Sequence, residues 1–387
     1  MIPLVNAMAT APISVPARRS RGFEVAIATD WAAARIGWAA ALADGRATPF
    51  QRLVVMEAWF EAMAAQPGIE PLIVTIRDAA TGAAAASLAL VRTTSGQVRT
   101  IGFADLGLID YNAPILGPAA PQDRTGAASL WQALRRALPS ADVIELRKMP
   151  ATIGGQPNPF ALLDALPCAL SGNVVHTGDD WESYHRTLRK TVRKELERSW
   201  RVFTRHPEAT FKPVSDPAER RRVLAAIEEQ QPLRMQATGK SYVLDAPSAA
   251  NFYRNLVDAP EDDQTVTLTA LMAGDEVVAA LLGLRDAQDY IMVRISNAEG
   301  EWSNASPGKL IIDRSMAYLH ERGYRAFDFS IGDYDYKRRF GVEPTPLVDL
   351  VQPLGWRGVT TSVESRARNF VRRRPALRRF ANTLLRR

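Results

Sequence analysis

The sequence predicts an α/β (α+β) chain of two tandem units, each a mixed, mainly antiparallel sheet flanked by helices. Three observations carry this expectation. A length of 387 residues exceeds one ordinary core and suits two domains of roughly 150 to 180 residues. One order of elements, helices, three antiparallel strands, a helix and a strand, occurs twice along the chain. A hydrophobic share of 47% beside a charged share of 23% fits a globular protein, and the longest apolar stretches, such as Ala83 to Val91, fall short of the roughly 20 residues of a bilayer span.

In the first unit, Phe23 to Thr29 alternates as a strand does, and Asp30 to Leu42 and Arg52 to Ala65 carry helical spacing. Gln66-Pro67-Gly68 breaks the second helix. Leu72 to Arg77 and Ala84 to Arg92 read as strands joined by the turn Asp78 to Gly82, and Val98 to Phe103 as a third. Beyond the loop Asp110-Tyr111-Asn112-Ala113-Pro114, Ala127 to Leu138 reads as an amphipathic helix and Val143 to Leu146 as a buried strand.

The second unit begins with a helix over Asp180 to Phe203, a short strand Thr210 to Pro213, and helices around Ala218 to Gln230 and Pro247 to Val257. A meander follows over Thr265 to Met272, Glu276 to Leu284 and Tyr290 to Ile295. A helix from Pro307 to Arg322 carries an apolar stripe and stops at Gly323, and the strand Ala326 to Ser330 closes the unit. The expected domains are a disordered lead-in over 1–22, an N-terminal unit over 23–165, a C-terminal catalytic unit over 166–355 and a basic amphipathic tail over 356–387.

Two segments carry the chemistry. The loop Trp302-Ser303-Asn304-Ala305-Ser306-Pro307-Gly308-Lys309 runs into a helix. A helix start offers unpaired N–H groups and a positive dipole end; Pro307 suits its first position, Gly308 permits close approach and Lys309 adds charge. The loop thus suits a phosphate, with Asn304, Ser306, Gly308 and Lys309 as candidate ligands, and equally fits an ordinary helix start capped by Ser306. The second segment is Phe327-Asp328-Phe329-Ser330-Ile331-Gly332-Asp333-Tyr334-Asp335-Tyr336-Lys337. Together the two resemble the C-terminal signature of the GNAT branch that contains CelD-like proteins and holdfast or exopolysaccharide N-acetyltransferases, a branch related to the FemAB peptidyltransferases. Phe50-Gln51, Trp59, the Asp78 to Gly82 turn and Asp110-Tyr111 with Pro114 extend the resemblance over residues 23–352. It implies tandem GNAT-like domains and acetyl-CoA as the donor. The full glycine-rich pyrophosphate signature of typical GNAT enzymes is reduced here to Ser-Pro-Gly-Lys.

Acyl transfer needs a proton acceptor for the nucleophile, donors for the oxyanion and a proton source for the leaving thiolate. Asp328 alternates with two phenylalanines and so faces away from the apolar side of its strand, where it could orient substrate or act as base. Asp333 lies just beyond the strand end, and Tyr336 or Tyr334 could protonate the departing sulfur, a role the resemblance implies for a tyrosine. Both aspartates could equally cap turns while the tyrosines pack. Lys337 and Tyr111 are candidate contacts to the acceptor. So are Arg189 and Arg193, which share a face of the basic helix over 181–200, a face that could also be plain solvated surface. His185, with no carboxylate pattern near it, reads as a surface residue.

The formal net charge is +6, yet Arg357 to Arg387 holds ten arginines and one acid, so the remainder is mildly acidic. A basic tail with interleaved Phe370, Val371, Leu377 and Phe380 suits an anionic membrane surface or a nucleotide, and a disordered tail is the plain alternative. DNA is not an expected partner. One cysteine, Cys168, allows neither an internal disulfide nor a Cys-based zinc site, and no metal is expected. The sequence therefore points to a cytoplasmic acetyltransferase, peripheral at the inner membrane, acting on an amine or hydroxyl of a saccharide or glycolipid acceptor. An aminoacyl-tRNA-dependent transferase of FemAB type and a non-catalytic scaffold are the rival readings.

Overall fold

A computed structural model describes residues 15–19, 22–237, 246–260, 264–287, 289–332 and 334–359. Its elements in chain order are β1 (Val15–Arg19), β2 (Phe23–Ala28), α1 (Trp31–Asp44), α2 (Leu53–Met63), β3 (Ile69–Asp78), β4 (Ala84–Ser95), β5 (Val98–Phe103), β6 (Ile115–Leu116), α3 (Arg124–Ala137), β7 (Val143–Pro150) and the small hairpin β8 (Thr152–Ile153) and β9 (Gln156–Pro157). The second half contains β10 (Leu166–His176), α4 (Trp181–Thr187), α5 (Lys190–Phe203), β11 (Ala209–Pro213), α6 (Pro217–Ala237), α7 (Pro247–Val257), β12 (Val266–Ala273), β13 (Glu276–Arg285), β14 (Tyr290–Asn297), α8 (Pro307–Glu321), β15 (Ala326–Asp328), α9 (Asp335–Arg338) and β16 (Glu343–Pro353).

The main strands form one continuous sheet in the order β1-β2-β3-β4-β5-β7-β16-β10-β15-β14-β13-β12-β11, with β6 against β4. Neighbours are antiparallel except for β5 with β7 and β14 with β15, which are parallel. The repeated order of elements thus gives two similar half-sheets. Their terminal strands are crossed: β16, the last strand of the second half, pairs with β7 of the first, while β10 lies between β16 and β15. The sheet runs unbroken through the boundary expected at 165/166, and the stretch expected as a disordered lead-in supplies β1, paired with β2. Residues 1–14 and the basic tail from 360 onward lie outside the described residues.

Helices cover both faces. On one, α1 and α2 from the first half and α6 and α7 from the second build a shared core that includes Trp59, Tyr111, Val223, Phe252 and Leu282, and α2 packs on α7. On the other, α3 covers the first half-sheet through Leu130 and Leu134, while α4, α5 and α8 cover the second through Leu196, Phe203 and Ile311. The helix expected over 180–203 is two helices. Thr187 Oγ1 donates to the Tyr184 carbonyl at 2.7 Å to close α4, buried Leu188 turns into the core, and Arg189 caps α5 with its carbonyl.

Among the described residues no helix is long and apolar enough to cross a membrane. Because Leu350 of β16 is paired with Leu146 of β7 and buried in the first half's core, its replacement couples the halves. Leu350→Ala is expected to cost about 2–5 kcal/mol in a single cooperative transition seen by both near- and far-UV circular dichroism; two separated transitions would contradict that coupling.

Candidate active site

The parallel strands β14 and β15 pair only at Tyr290 with Phe327 and Ile291 with Asp328, and then diverge. Just past that point the β13–β14 register slips, with Gly283 opposite Met292 and Leu282 opposite Arg294, so Val293 is an extra, bulged residue. A bulge lifts a backbone N–H out of the ladder beside the place where the strands part. The divergence opens a cleft of about 440 Å³ lined by Ile295, Asn297, Gly308, Lys309, Ile312 and Tyr336 among others.

The cleft ends on the start of α8. Ser306 holds a left-handed backbone (φ 45°) and makes no side-chain cap, unlike the ordinary capped start that is the alternative reading of this loop; its carbonyl receives the N–H groups of Lys309 and Leu310 instead. Gly308 lies against Asn297, where a Cβ would come within 2.8 Å of Asn297 Oδ1. Lys309 Nζ is held by the Glu195 carboxylate of α5, which also takes Arg339 at 3.1 Å. Of the four expected phosphate ligands, Ser306, Gly308 and Lys309 line the cleft. Asn304 is exposed in the preceding 3-10 turn and accepts from Arg198 through its carbonyl at 3.3 Å. The corresponding helix of the first half, α3, is closed by its own acid: Asp123 accepts the Gly126 N–H at 2.8 Å. A carboxylate there takes up the donors an anion would need, so the anion-receptive helix start belongs to the second half.

On the opposite side of the sheet the two halves meet at Asp328. Its carboxylate accepts from the Tyr111 hydroxyl at 2.9 Å and from the Ser330 N–H at 2.6 Å. The second bond fixes Ser330 in a left-handed conformation (φ 60°) and ends β15 two residues earlier than expected. Gly172 leaves room for Tyr111, since a Cβ there would stand 2.3 Å from its hydroxyl. Both groups line a small cavity of about 150 Å³ together with Thr48, Thr152 and Asp289. Burial pushes the Asp328 carboxyl up to about 7, against the lowering pull of the Tyr111 and Ser330 bonds and the Lys337 charge. The Tyr111 hydroxyl is also raised, by burial first and then by the Asp328 charge. Neighbouring Asp110 accepts from Ser330 Oγ and is raised by burial as well.

Several expected contacts fall elsewhere. Lys337 is 2% exposed and gives its ammonium to the carbonyls of Ile331 at 2.7 Å and Ser330 at 3.2 Å, so it braces the turn after β15 and does not reach out to a ligand. Asn173 of β10, unmarked in the sequence, braces the same turn, donating to Ser330 O at 2.8 Å and Gly332 O at 3.0 Å. Arg189 and Arg193 sit on the α5 side of the sheet, away from the Tyr111–Asp328 cavity. His185 is no bare surface residue: it bonds Asp313 of α8 at 2.9 Å, which raises its pKa. Tyr334 is about half exposed and stacks on Tyr336 at 6.0 Å. Asp333 lies outside the described residues. Among the described residues no group of three or more His, Cys, Asp or Glu is placed to hold a metal ion.

Residues 190–338 match the family model described as an acetyltransferase (GNAT) domain. Among solved structures the chain is similar to FemX, at 10% identity and a TM-score of 0.54, covering 77% of this chain and 91% of that one. It is also similar to the C-terminal domain of a protein designated a lysylphosphatidylglycerol synthetase from Agrobacterium fabrum, at 10% identity and a TM-score of 0.53, covering 86% and 96%. No curated protein sequence matches. The fold is therefore of GNAT and FemAB-like type, and neither comparison singles out the exopolysaccharide branch.

The Asp328 environment makes a pH prediction. A carboxyl raised from 3.8 to about 7 on folding favours the folded state below pH 4 and loses that contribution as pH rises through 7, because the unfolded chain then binds fewer protons. Asp328→Asn should flatten the pH dependence of stability between pH 4 and 7, measured by urea unfolding. Tyr111→Phe should move the carboxyl higher still, by about one unit or more, in a carbon-13 NMR titration; an unchanged or lower value would contradict the contact.

Proposed function

We propose that this chain is an acyl-CoA-dependent acyltransferase that moves an acetyl group from acetyl-CoA to an amine or hydroxyl of an amino sugar or polysaccharide precursor. One observation supports the reading above all: the divergence of β14 and β15 leads straight to an uncapped helix start. In this reading the N-terminus of α8 receives the donor's diphosphate, with Gly308 letting it approach the backbone. The free edge of β14 pairs with the extended arm of the donor, as a strand would. The N–H freed at the Val293 bulge polarises the thioester carbonyl, and Tyr336 protonates the departing thiolate.

Asp328 is the proposed base. A carboxyl with a pKa near 7 is half ionised at neutral pH and suited to take a proton from a bound nucleophile. Tyr111 holds it from the first half, so the acceptor is met between the halves, in the cavity that includes Thr48 and Thr152. The tail rich in arginine, outside the described residues, is proposed to bring the cytoplasmic enzyme to a glycolipid acceptor at an anionic membrane surface.

Glu195 gives this assignment a sharp test, since an incoming diphosphate must compete with it for Lys309 and Arg339. In isothermal titration with acetyl-CoA, Gly308→Val is expected to weaken binding at least tenfold and Glu195→Gln to tighten it several-fold. Absence of heat with the unaltered protein would remove the donor assignment. Tyr336→Phe should lower kcat by about 10²-fold or more with acetyl-CoA affinity kept.

A further inference from the structure

The cavity of about 150 Å³ holds a second carboxyl besides Asp328. Ile291 of β14 pairs with Asp328 of β15, so Asp289, two residues before Ile291, comes to the same face of the sheet, level with Ala326 and roughly 7 Å along the strands from Asp328. Both line the cavity, Asp289 exposed at its rim and Asp328 half-buried within it. Among the described residues that line it there is no lysine, arginine or histidine, and the Asp289 carboxylate takes no hydrogen bond or ion pair from a side chain. The cations around the cavity are engaged elsewhere: Arg46 with the Gly154 carbonyl, Arg52 with Asp286 at 3.7 Å, and Lys337 with the carbonyls of Ile331 and Ser330. His176 of β10, paired with Ala326, acts on Asp289 through its charge alone.

Two carboxyls that face one cavity without a lining cation disfavour each other's ionisation. Asp328 answers by holding its proton up to about 7. Asp289 is raised as well, by desolvation against the cavity wall and then by the Asp286 charge, but contact with water at the rim keeps it ionised in the neutral range. Such a carboxylate repels an acidic acceptor and gains little from a neutral hydroxyl. A protonated amine pairs with it and offsets the desolvation of both charges. The atom to be acylated has to meet Asp328, so an ion pair at Asp289 calls for a second amine on the same molecule, at the spacing of the two aspartates.

We propose that Asp289 sets the specificity of this cavity and that the acceptor is a diamine, a class that includes diamino sugars: one amine, neutral, meets Asp328 and is acylated, while the other, protonated, is held by Asp289. In that step the first amine forms the new C–N bond as the thioester C–S bond breaks; its proton passes to Asp328, and the thiolate takes one from Tyr336. The fate of the first amine rests on the acyltransfer reading, whereas the seating of two amines in the cavity does not.

The test titrates the full chain, without acetyl-CoA and at neutral pH and fixed ionic strength, with 1,5-diaminopentane and with 5-amino-1-pentanol, which has the same length but one amine. The diamine should bind roughly tenfold or more tightly than the amino alcohol. Asp289→Asn should bring the diamine down to the level of the amino alcohol, and Asp289→Glu should keep part of the preference. Asp286→Asn, which removes a neighbouring charge that does not line the cavity, should leave the preference in place. Equal affinity of the two compounds for the unaltered protein, no heat with either, or a preference that persists in Asp289→Asn would overturn the diamine site. Loss of the preference in Asp286→Asn would do the same, by making it an effect of general negative charge. Turnover is scored separately by mass spectrometry with acetyl-CoA present: a diamine that binds with the expected preference and is never acetylated would sink the acyltransfer reading and leave the diamine site standing.

Discussion

The pairing of β16 with both β7 and β10 is the constraint on which the rest of this structure depends. It places the C-terminal strand in the middle of the sheet, so neither half can close its hydrophobic face without the other. Its irregularities are used. The register slip between Val348 and Leu350 turns Asp349 inward, 3% exposed, where it receives the N–H of left-handed Lys148 at 2.9 Å and faces Arg147 at 3.6 Å. The neighbouring strand β10 then brings Gly172 and Asn173 to the seam, the first making room for Tyr111 and the second fixing the turn after β15. Strand exchange thereby puts a side chain of the first half onto a carboxylate of the second.

The two halves share a layout and differ where chemistry would occur. In the second half the helix start is free of a side-chain cap and faces a cleft. In the first, Asp123 closes the matching helix, and the space beside β7 is filled by the loop after β5, with Asn112 donating to Arg147 O at 3.0 Å and Lys148 paired with Asp105 at 2.8 Å. An acid at a helix start repels the anion that an uncapped start attracts, so the start of α3 is the less receptive of the two to an anion. The first half contributes instead through Tyr111 and the walls of the small cavity.

Charge burial recurs on the shared face of the sheet. Asp328, Asp110 and Arg294 all lie where water is scarce. The carboxyls answer by shifting toward the neutral form, a route closed to a guanidinium. Arg294 is left with a stacked ring and a single amide oxygen.

The sequence by itself determined the elements whose signals are local: the meander β12 to β14, the Pro-Gly start of α8, the breaker after α2 and the composition of the turn after β15. It also brought the loop from Ser306 to Lys309 and Asp328 forward, because helix starts and alternation are read over a few residues. Only the tertiary structure decided the rest. Strand β16 carries Pro344, Pro346 and Pro353, and β10 carries Pro167 and Gly172, residues that argue against a central strand. Pro167 and Pro346 border a register slip between the two strands that no short window contains. The bond from Tyr111 to Asp328 spans 217 positions, and the burial of Lys337 and the pairing of His185 with Asp313 depend on packing across distant elements. Local patterns report what a segment prefers; which side chains share a buried space is settled by the fold.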